Sequence, residues 1–230
     1  MTPRHPQTLD ELLAEQLEYY GARADEYHLL FAGALDEPAG PLGPEGPIGR
    51  RLAELARGRD VLELACGTGH WSEMLAEHAK SVTCLDASRD MLRVHAERVG
   101  APNVRRIEAD VFVWEPDRRY ELAFLGFWLS HVPDERMGDF WSLVDRALVP
   151  GGTAAFVDSG PRADSDERAL KGLPAPATLR RLSDGREYRI VKVFRDAAGL
   201  AELLRGEGWR AEIAEVGYFL FGTAVRDSDA

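Results

Sequence analysis

The sequence predicts an α/β protein built on a doubly wound, mostly parallel sheet with helices on both faces. Three observations carry that expectation. From Ile48 onward, short apolar runs alternate with amphipathic segments, the rhythm of strands buried between helices. A glycine turn, Gly67-Thr68-Gly69, separates the first apolar run from the next amphipathic one. The 230 residues, 45 % hydrophobic, suit one sizeable domain with a short appendage.

The elements follow in order. Thr8 and Glu11 form a capping box ahead of a helix over 8–20, with Leu9, Leu12, Leu13, Leu17 and Tyr20 on one face. Gly21 ends it, and a second short helix is expected over 27–34. Four Pro-X-Gly triplets then run over 38–49. They are too few for a triple helix and predict an extended, polyproline-like linker. Beyond it, spacing predicts helices at 48–57, 71–78, 89–99 and 135–148, and strands at 60–65, 81–85, 104–108, 121–127 and 153–158. Residues 160–195 break the rhythm. There, Ser183-Asp184-Gly185 joins two strand-like runs, a hairpin signal. A helix over 196–207 and two strands, 210–216 and 218–225, meeting at Gly217, complete the pattern. The chain thus divides into a helical lid (1–37), a Pro/Gly linker (38–49) and a main domain (50–230) interrupted at 160–195.

Charge narrows the partners. With 39 acidic and 28 basic residues the formal net charge is −11, a surface that repels nucleic-acid backbones and anionic lipid. Cys66 and Cys84 lack metal-ligand spacing and lie in apolar runs, so neither a disulfide framework nor a metal site is expected. The first ten residues are polar and unlike a signal peptide, and no apolar run approaches the roughly 18 residues that span a bilayer. A soluble cytoplasmic protein is expected, as monomer or homodimer.

The glycine turn is the richest local feature. In a doubly wound sheet, ligands bind beyond the carboxyl ends of the strands at the switch point. Glycine lets the backbone approach a ligand closely, and the following helix N-terminus offers unpaired N–H groups. A pyrophosphate-binding turn wants a third glycine where this chain has Ser72. Two acids sit nearby instead: Glu63 inside the first strand and Asp86 at the end of the second. A carboxylate at Asp86 can accept both hydroxyls of a ribose. Asp110, after the third strand, can accept from an exocyclic adenine amine, with Val111 and Phe112 against the ring. Three sites at three successive strand ends match the methionyl, ribose and adenine parts of one nucleoside.

On these residues the chain resembles the class I S-adenosylmethionine-dependent methyltransferases over about 58–160. Leu62-Glu63-Leu64-Ala65-Cys66-Gly67-Thr68-Gly69 is similar to the family's first motif, Asp86-Ala87-Ser88 to its second-strand acid, and Ala109-Asp110-Val111-Phe112 to its adenine motif. Leu148-Val149-Pro150-Gly151-Gly152 is similar to the turn before its fifth strand. Small-molecule enzymes of the ubiquinone/menaquinone and natural-product type look most alike. The resemblance implies a Rossmann-like, seven-stranded sheet with an antiparallel last strand. It also implies S-adenosyl-L-methionine as cofactor, bound by Glu63, Gly67, Gly69, Asp86, Ala87, Asp110, Val111 and Gly126, with Tyr20 and Tyr27 from the N-terminal lid. Gly126 is expected to let the backbone come near the cofactor.

For the acceptor, Phe127-Trp128-Leu129-Ser130-His131 follows the fourth strand, and His131 is the candidate base, because imidazole titrates near neutral pH. Trp71 and Trp128 are candidate acceptor contacts. The expected reaction is methyl transfer to an O or N atom of a small molecule. Three alternatives stand beside it: a nicotinamide-dependent oxidoreductase, a catalytically silent nucleoside-binding module, and aminopropyl transfer, for which no set of polyamine-gripping acids is visible.

Overall fold

The computed structural model describes residues 8–31, 37–160 and 169–227. Five parallel strands, β1 (Asp60–Leu64), β2 (Ser81–Asp86), β3 (Val104–Glu108), β4 (Tyr120–Gly126) and β5 (Leu148–Ser159), are joined by helices except between β3 and β4, which a loop connects. Two more, β9 (Trp209–Val216) and β10 (Phe219–Arg226), complete the order β3-β2-β1-β4-β5-β10-β9. The last strand, β10, runs antiparallel to both its neighbours, as expected. The chain turns outward from β1 toward β3 and then crosses back to β4, so the switch point lies beside the end of β1.

Both faces are covered. Leu62 and Leu64 point into a core with Trp141, Phe156 and Trp209, beneath α5 (Asp134–Ala147) and α6 (Ala197–Gly206). Val61 points the other way, with Leu52 of α2 (Pro47–Ala56) and Leu75 of α3 (His70–His78). Alternate residues of one strand serving two apolar layers is what burial on both sides demands. The remaining helix of this frame, α4 (Arg89–Arg98), connects β2 to β3.

A cap sits over the carboxyl ends of the strands. It combines α1 (Leu9–Arg23) with a small antiparallel sheet of β6 (Ala169–Leu170), β7 (Ala177–Arg181) and β8 (Glu187–Val191). The capping box of Thr8 and Glu11 forms as predicted. The apolar stripe read for α1 is split, however. Leu12 and Tyr19 are buried against the small sheet, Leu17 turns to the cavity described below, and Leu13, Gln16 and Tyr20 touch both. The outer edge of β8 is covered by side chains rather than by another strand: Glu15 accepts from Arg189 N at 2.7 Å and Gln16 from Val191 N at 2.9 Å. An edge strand whose N–H groups are satisfied this way is closed to further pairing.

Two expectations need correcting. The Pro-X-Gly segment is wound tightly rather than extended: Gly40, Gly43 and Gly46 each donate to the carbonyl three residues earlier, at 2.9–3.0 Å. A Cβ on Gly43, Gly46 or Gly49 would lie 1.8–2.1 Å from a carbonyl oxygen, so the glycine period lines the inside of a coil. Leu42 and Ile48 anchor that coil in the core. The short helix expected over 27–34 is a 3₁₀ segment, Ala24–Phe31, and 32–36 lie outside the described residues, as do 161–168 of the interrupting segment. The strand β6 had no counterpart in the sequence reading.

Candidate active site

The first turn beyond β1 is left-handed at three places, Ala65 (φ 53°), Gly67 (φ 54°) and Gly69 (φ 86°). Left-handed backbone at the non-glycine Ala65 is sparsely populated and characteristic of functional loops. Phe127, at the end of the neighbouring β4, shares it (φ 56°). Gly67 N donates to Asp86 Oδ2 and Ser88 N to Asp86 Oδ1, both at 2.8 Å. One carboxylate therefore ties the turn after β1 to the turn after β2 and keeps lone pairs for a ligand. Burial pushes its pKa up, and those two backbone donors pull it back. Beyond β3, Asp110 Oδ1 accepts from Phe112 N at 2.9 Å, fixing the next turn.

These turns floor a cavity of about 440 Å³. Gly67, Asp86, Ala87, Asp110, Val111, Gly126, Trp128 and His131 line it from below, with Tyr20 and Tyr27 from above. Trp71 lines a small recess beside it, together with Gly67, Gly126 and Phe127. Two predicted residues are not on the wall. Glu63 is 1 % exposed, its carboxylate accepting from Ser72 Oγ and Cys84 Sγ. It lies beneath the turn, and burial holds its pKa well above the carboxylate range. Gly69 is the cap residue of α3, packed against Val99 and His95. Gly126 lines the cavity, and a Cβ there would lie 2.6 Å from the Trp71 indole.

His131 is held at both ring nitrogens. Its Nδ1 lies 2.7 Å from the Val191 carbonyl, which can only accept, so Nδ1 carries the proton. Its Nε2 then accepts from the Tyr20 hydroxyl at 2.9 Å. Burial, and next the Lys192 ammonium, hold the imidazole well below its usual range; the Val191 bond opposes this and Arg180 adds to it. Burial also holds the Tyr20 hydroxyl well above its usual range. The pair is thus a neutral imidazole with a phenol donating to it. Lys192 Nζ donates to Ser130 Oγ at 2.9 Å, and Ser130 N to Asp158 Oδ2 at 2.8 Å.

Sequence reasoning missed the wall formed by Asp10, Leu13, Ala14, Gln16 and Leu17 of α1, and Arg136 of α5. The signal was present in α1, whose apolar stripe is wider than one packing face needs. Arg136 stacks over Phe112 at 5.8 Å and bonds Asp10 at 2.8 Å, at the rim. No pattern of neighbours in the sequence indicates that pairing. Among the described residues, no group of His, Cys, Asp and Glu could hold a metal ion.

The pocket fits a nucleoside with an amino-acid arm: a carboxylate at the second strand end, an apolar ledge and Asp110 at the third, and the Gly67 backbone facing the Tyr27 ring, which a Cβ there would meet at 3.8 Å. Comparison with known proteins agrees. A family model described as a methyltransferase domain matches residues 61–152. The demethylmenaquinone methyltransferase of Listeria welshimeri is 32 % identical over 118 residues, 47 % of this chain and 48 % of the relative. The chain therefore matches about half the length of such curated relatives. The solved structure of DhpI with SAH is 41 % identical, covers 94 % of this chain and 98 % of its own, and superposes with a TM-score of 0.79. A Burkholderia thailandensis 1,6-didemethyltoxoflavin-N1-methyltransferase, 17 % identical over 99 % of this chain and 94 % of its own, shares the fold with a TM-score of 0.67. The chain belongs to the class I S-adenosylmethionine-dependent methyltransferase family.

Proposed function

We propose that the chain transfers the methyl group of S-adenosylmethionine to an oxygen or nitrogen atom of a small acceptor, and that His131 receives the acceptor's proton. The observation that carries this reading is the orientation of His131. Its Nδ1 is committed to Val191, and its Nε2 lone pair meets Tyr20 on the wall of the same cavity that Asp86 lines.

The bound cofactor supplies a methyl group on a sulfonium, which leaves readily. The chain's own residues do the rest. Asp86 takes the ribose hydroxyls, Asp110 with Val111 and Phe112 holds the adenine end, and Gly67 leaves room for the methionyl arm. Glu63 and Gly69 shape the turn from beneath. Trp71 and Trp128 border the space left for the acceptor, which must sit roughly 3 Å from the methyl carbon in line with the sulfur. Because the Nε2 lone pair already accepts from the Tyr20 hydroxyl, His131 takes Tyr20's proton as Tyr20 receives the acceptor's. The cap, from α1 and the small sheet β6–β8, excludes water around this step.

A second reading is favoured by Arg180 and Lys192, whose positive charge reaches His131. In it the acceptor is already an anion, steered by those two cations, and needs no base. The related DhpI was solved as a complex with SAM and HEP. We place the chain in the cytoplasm, acting on a small molecule as monomer or homodimer and not on nucleic acid or a membrane. Among the described residues no helix is long and apolar enough to cross a membrane.

Calorimetry with S-adenosylhomocysteine and with NADH tests the cofactor. Turnover of neutral alcohols, amines and small acids with a deuterated methyl donor tests the acceptor. Binding of NADH in place of S-adenosylhomocysteine would overturn the reading in favour of an oxidoreductase. Binding without turnover of any acceptor would favour a silent module. Turnover of acids alone, unaffected by His131→Asn, would select the second reading over the first.

A further inference from the structure

Ser72 stands where a pyrophosphate-binding turn has its third glycine, and no step of the proposed reaction uses it. It is fully buried and belongs to a chain of polar groups under the cofactor turn. Arg106 Nε, on β3, donates to His95 Nδ1 at 2.8 Å. A guanidinium has no acceptor, so Nδ1 must be the bare nitrogen and the imidazole proton must sit on Nε2. His95 Nε2 lies 2.8 Å from Ser72 Oγ and therefore donates to it. That leaves the Ser72 hydroxyl proton for Glu63 Oε2. Every donor points the same way, from β3 through α4 and α3 to β1.

The same histidine also touches the turn. A Cβ on Gly69 would lie 2.9 Å from the His95 ring and 2.7 Å from Val99, one helical turn further along α4. His95 is itself completely buried. It therefore holds the cofactor turn at two points: by packing beneath Gly69, and through Ser72 at the first turn of α3. Buried polar chains of this kind rigidify their surroundings only when every member is satisfied.

We propose that His95 is a positioning residue for the cofactor, its tautomer set by Arg106, and that the chain Arg106–His95–Ser72–Glu63 fixes the turn Cys66–Gly69 against Asp86. The proposal rests on the methyltransferase reading, because the turn it positions is the cofactor's. It touches neither the acceptor nor the transferred methyl, so its effect falls on cofactor affinity and not on the chemical step.

The test compares S-adenosylhomocysteine binding with turnover in His95→Leu, His95→Gln and the parent. Leucine fills the space without donating, whereas glutamine can still present an N–H to Ser72. The expected result is a rise of tenfold or more in the dissociation constant for His95→Leu, kcat at saturating cofactor within about twofold, and most of the affinity restored by His95→Gln. Equal affinities in all three, equal losses in both variants, or a fall confined to kcat would overturn it. Should the leucine variant fail to fold, nitrogen-15 spectra of the parent decide the point. They should show a bare Nδ1 and a protonated Nε2 on His95, a preference that Arg106→Met should weaken while raising the dissociation constant. The reverse tautomer, or an unchanged affinity in Arg106→Met, would refute the chain. A parent that does not bind S-adenosylhomocysteine would instead count against the methyltransferase reading itself.

Discussion

The floor and the roof of the cavity are built by different means. On the floor, short turns at successive strand ends are fixed by bonds close in sequence: Ser88 N to Asp86, Phe112 N to Asp110. Even the longest of these, Gly67 N to Asp86, joins two adjacent strands of one sheet. The roof depends on distant partners. Tyr20 meets His131 across 111 positions, and Glu15 holds Arg189 across 174. A floor made from local backbone geometry is rigid and reusable for one cofactor. A roof made from side chains on separate elements can change its occupant without disturbing the sheet. On the proposed function, that difference would give cofactor affinity to the floor and acceptor choice to the roof.

Four substitutions break or sharpen that contrast. The largest effect is expected from His131→Asn, which retains a donor for Val191 but removes the Nε2 base. If His131 is the base, kcat falls by about 10²–10⁴, while calorimetric affinity for S-adenosylhomocysteine stays within about twofold. The pH behaviour follows from the direction of its shift. Folded His131 resists protonation, so the acid limb of the parent's rate profile should lie below 6.5, its ordinary value. Stability contributed by the neutral ring is present above 6.5 and is lost as pH falls, because only the unfolded chain then takes up the proton. Melting temperatures of the parent should therefore drop more steeply between pH 6.5 and 5 than those of His131→Asn.

Next, Asp86→Ala removes both the tie to Gly67 and the ribose acceptor. Hydrogen bonds to a charged group contribute about 1.5–3 kcal/mol each, so S-adenosylhomocysteine affinity should fall by roughly 10- to 100-fold or more, in a direct titration. A change of less than threefold would mean that the floor does not hold the nucleoside.

Glu15→Ala attacks the roof. It leaves the Arg189 guanidinium, 10 % exposed, without its 2.9 Å partner. Leaving those largely buried donors unsatisfied should cost about 1–3 kcal/mol in urea unfolding, and acceptor KM should rise more than cofactor affinity falls. Equal effects on both would erase the distinction between roof and floor. Smallest is Asp10→Ala at the rim, where an 81 % exposed carboxylate meets Arg136. Exposed pairs contribute little, so acceptor KM and melting temperature should barely move.

Legibility in the sequence followed the same division. Asp86 and Asp110 could be read because a strand end, a glycine turn and an acid lie within a few residues of one another. Glu63 was placed with them for that reason, yet strand alternation turns its side chain under the sheet's helices and away from the cavity. For α1 the wide apolar stripe was visible, but not that one part faces a sheet and the other a cavity. The Pro-X-Gly phase was plain, whereas its coiled form depends on carbonyls three residues apart closing over glycines, which composition alone does not distinguish from an extended strand.

By itself, the sequence determined the sheet, its antiparallel last strand and the three strand-end turns. Periodicity and glycine placement are local properties, and each constrains the backbone within a few residues. Only the tertiary structure decided the protonation pattern of His131, the split duty of α1 and the polar chain behind Gly69. Each of these depends on groups brought together from distant positions: Val191 for the Nδ1 proton of His131, β8 for the buried face of α1, Arg106 for the tautomer of His95. Such long-range pairings leave no periodic trace in the chain, because they are selected by packing and not by spacing. The turn Gly67-Thr68-Gly69 and the candidates His131, Trp71 and Trp128 were legible in the sequence, while the α1 wall of the same cavity, Leu13, Ala14 and Leu17, emerged only once the roof was in place.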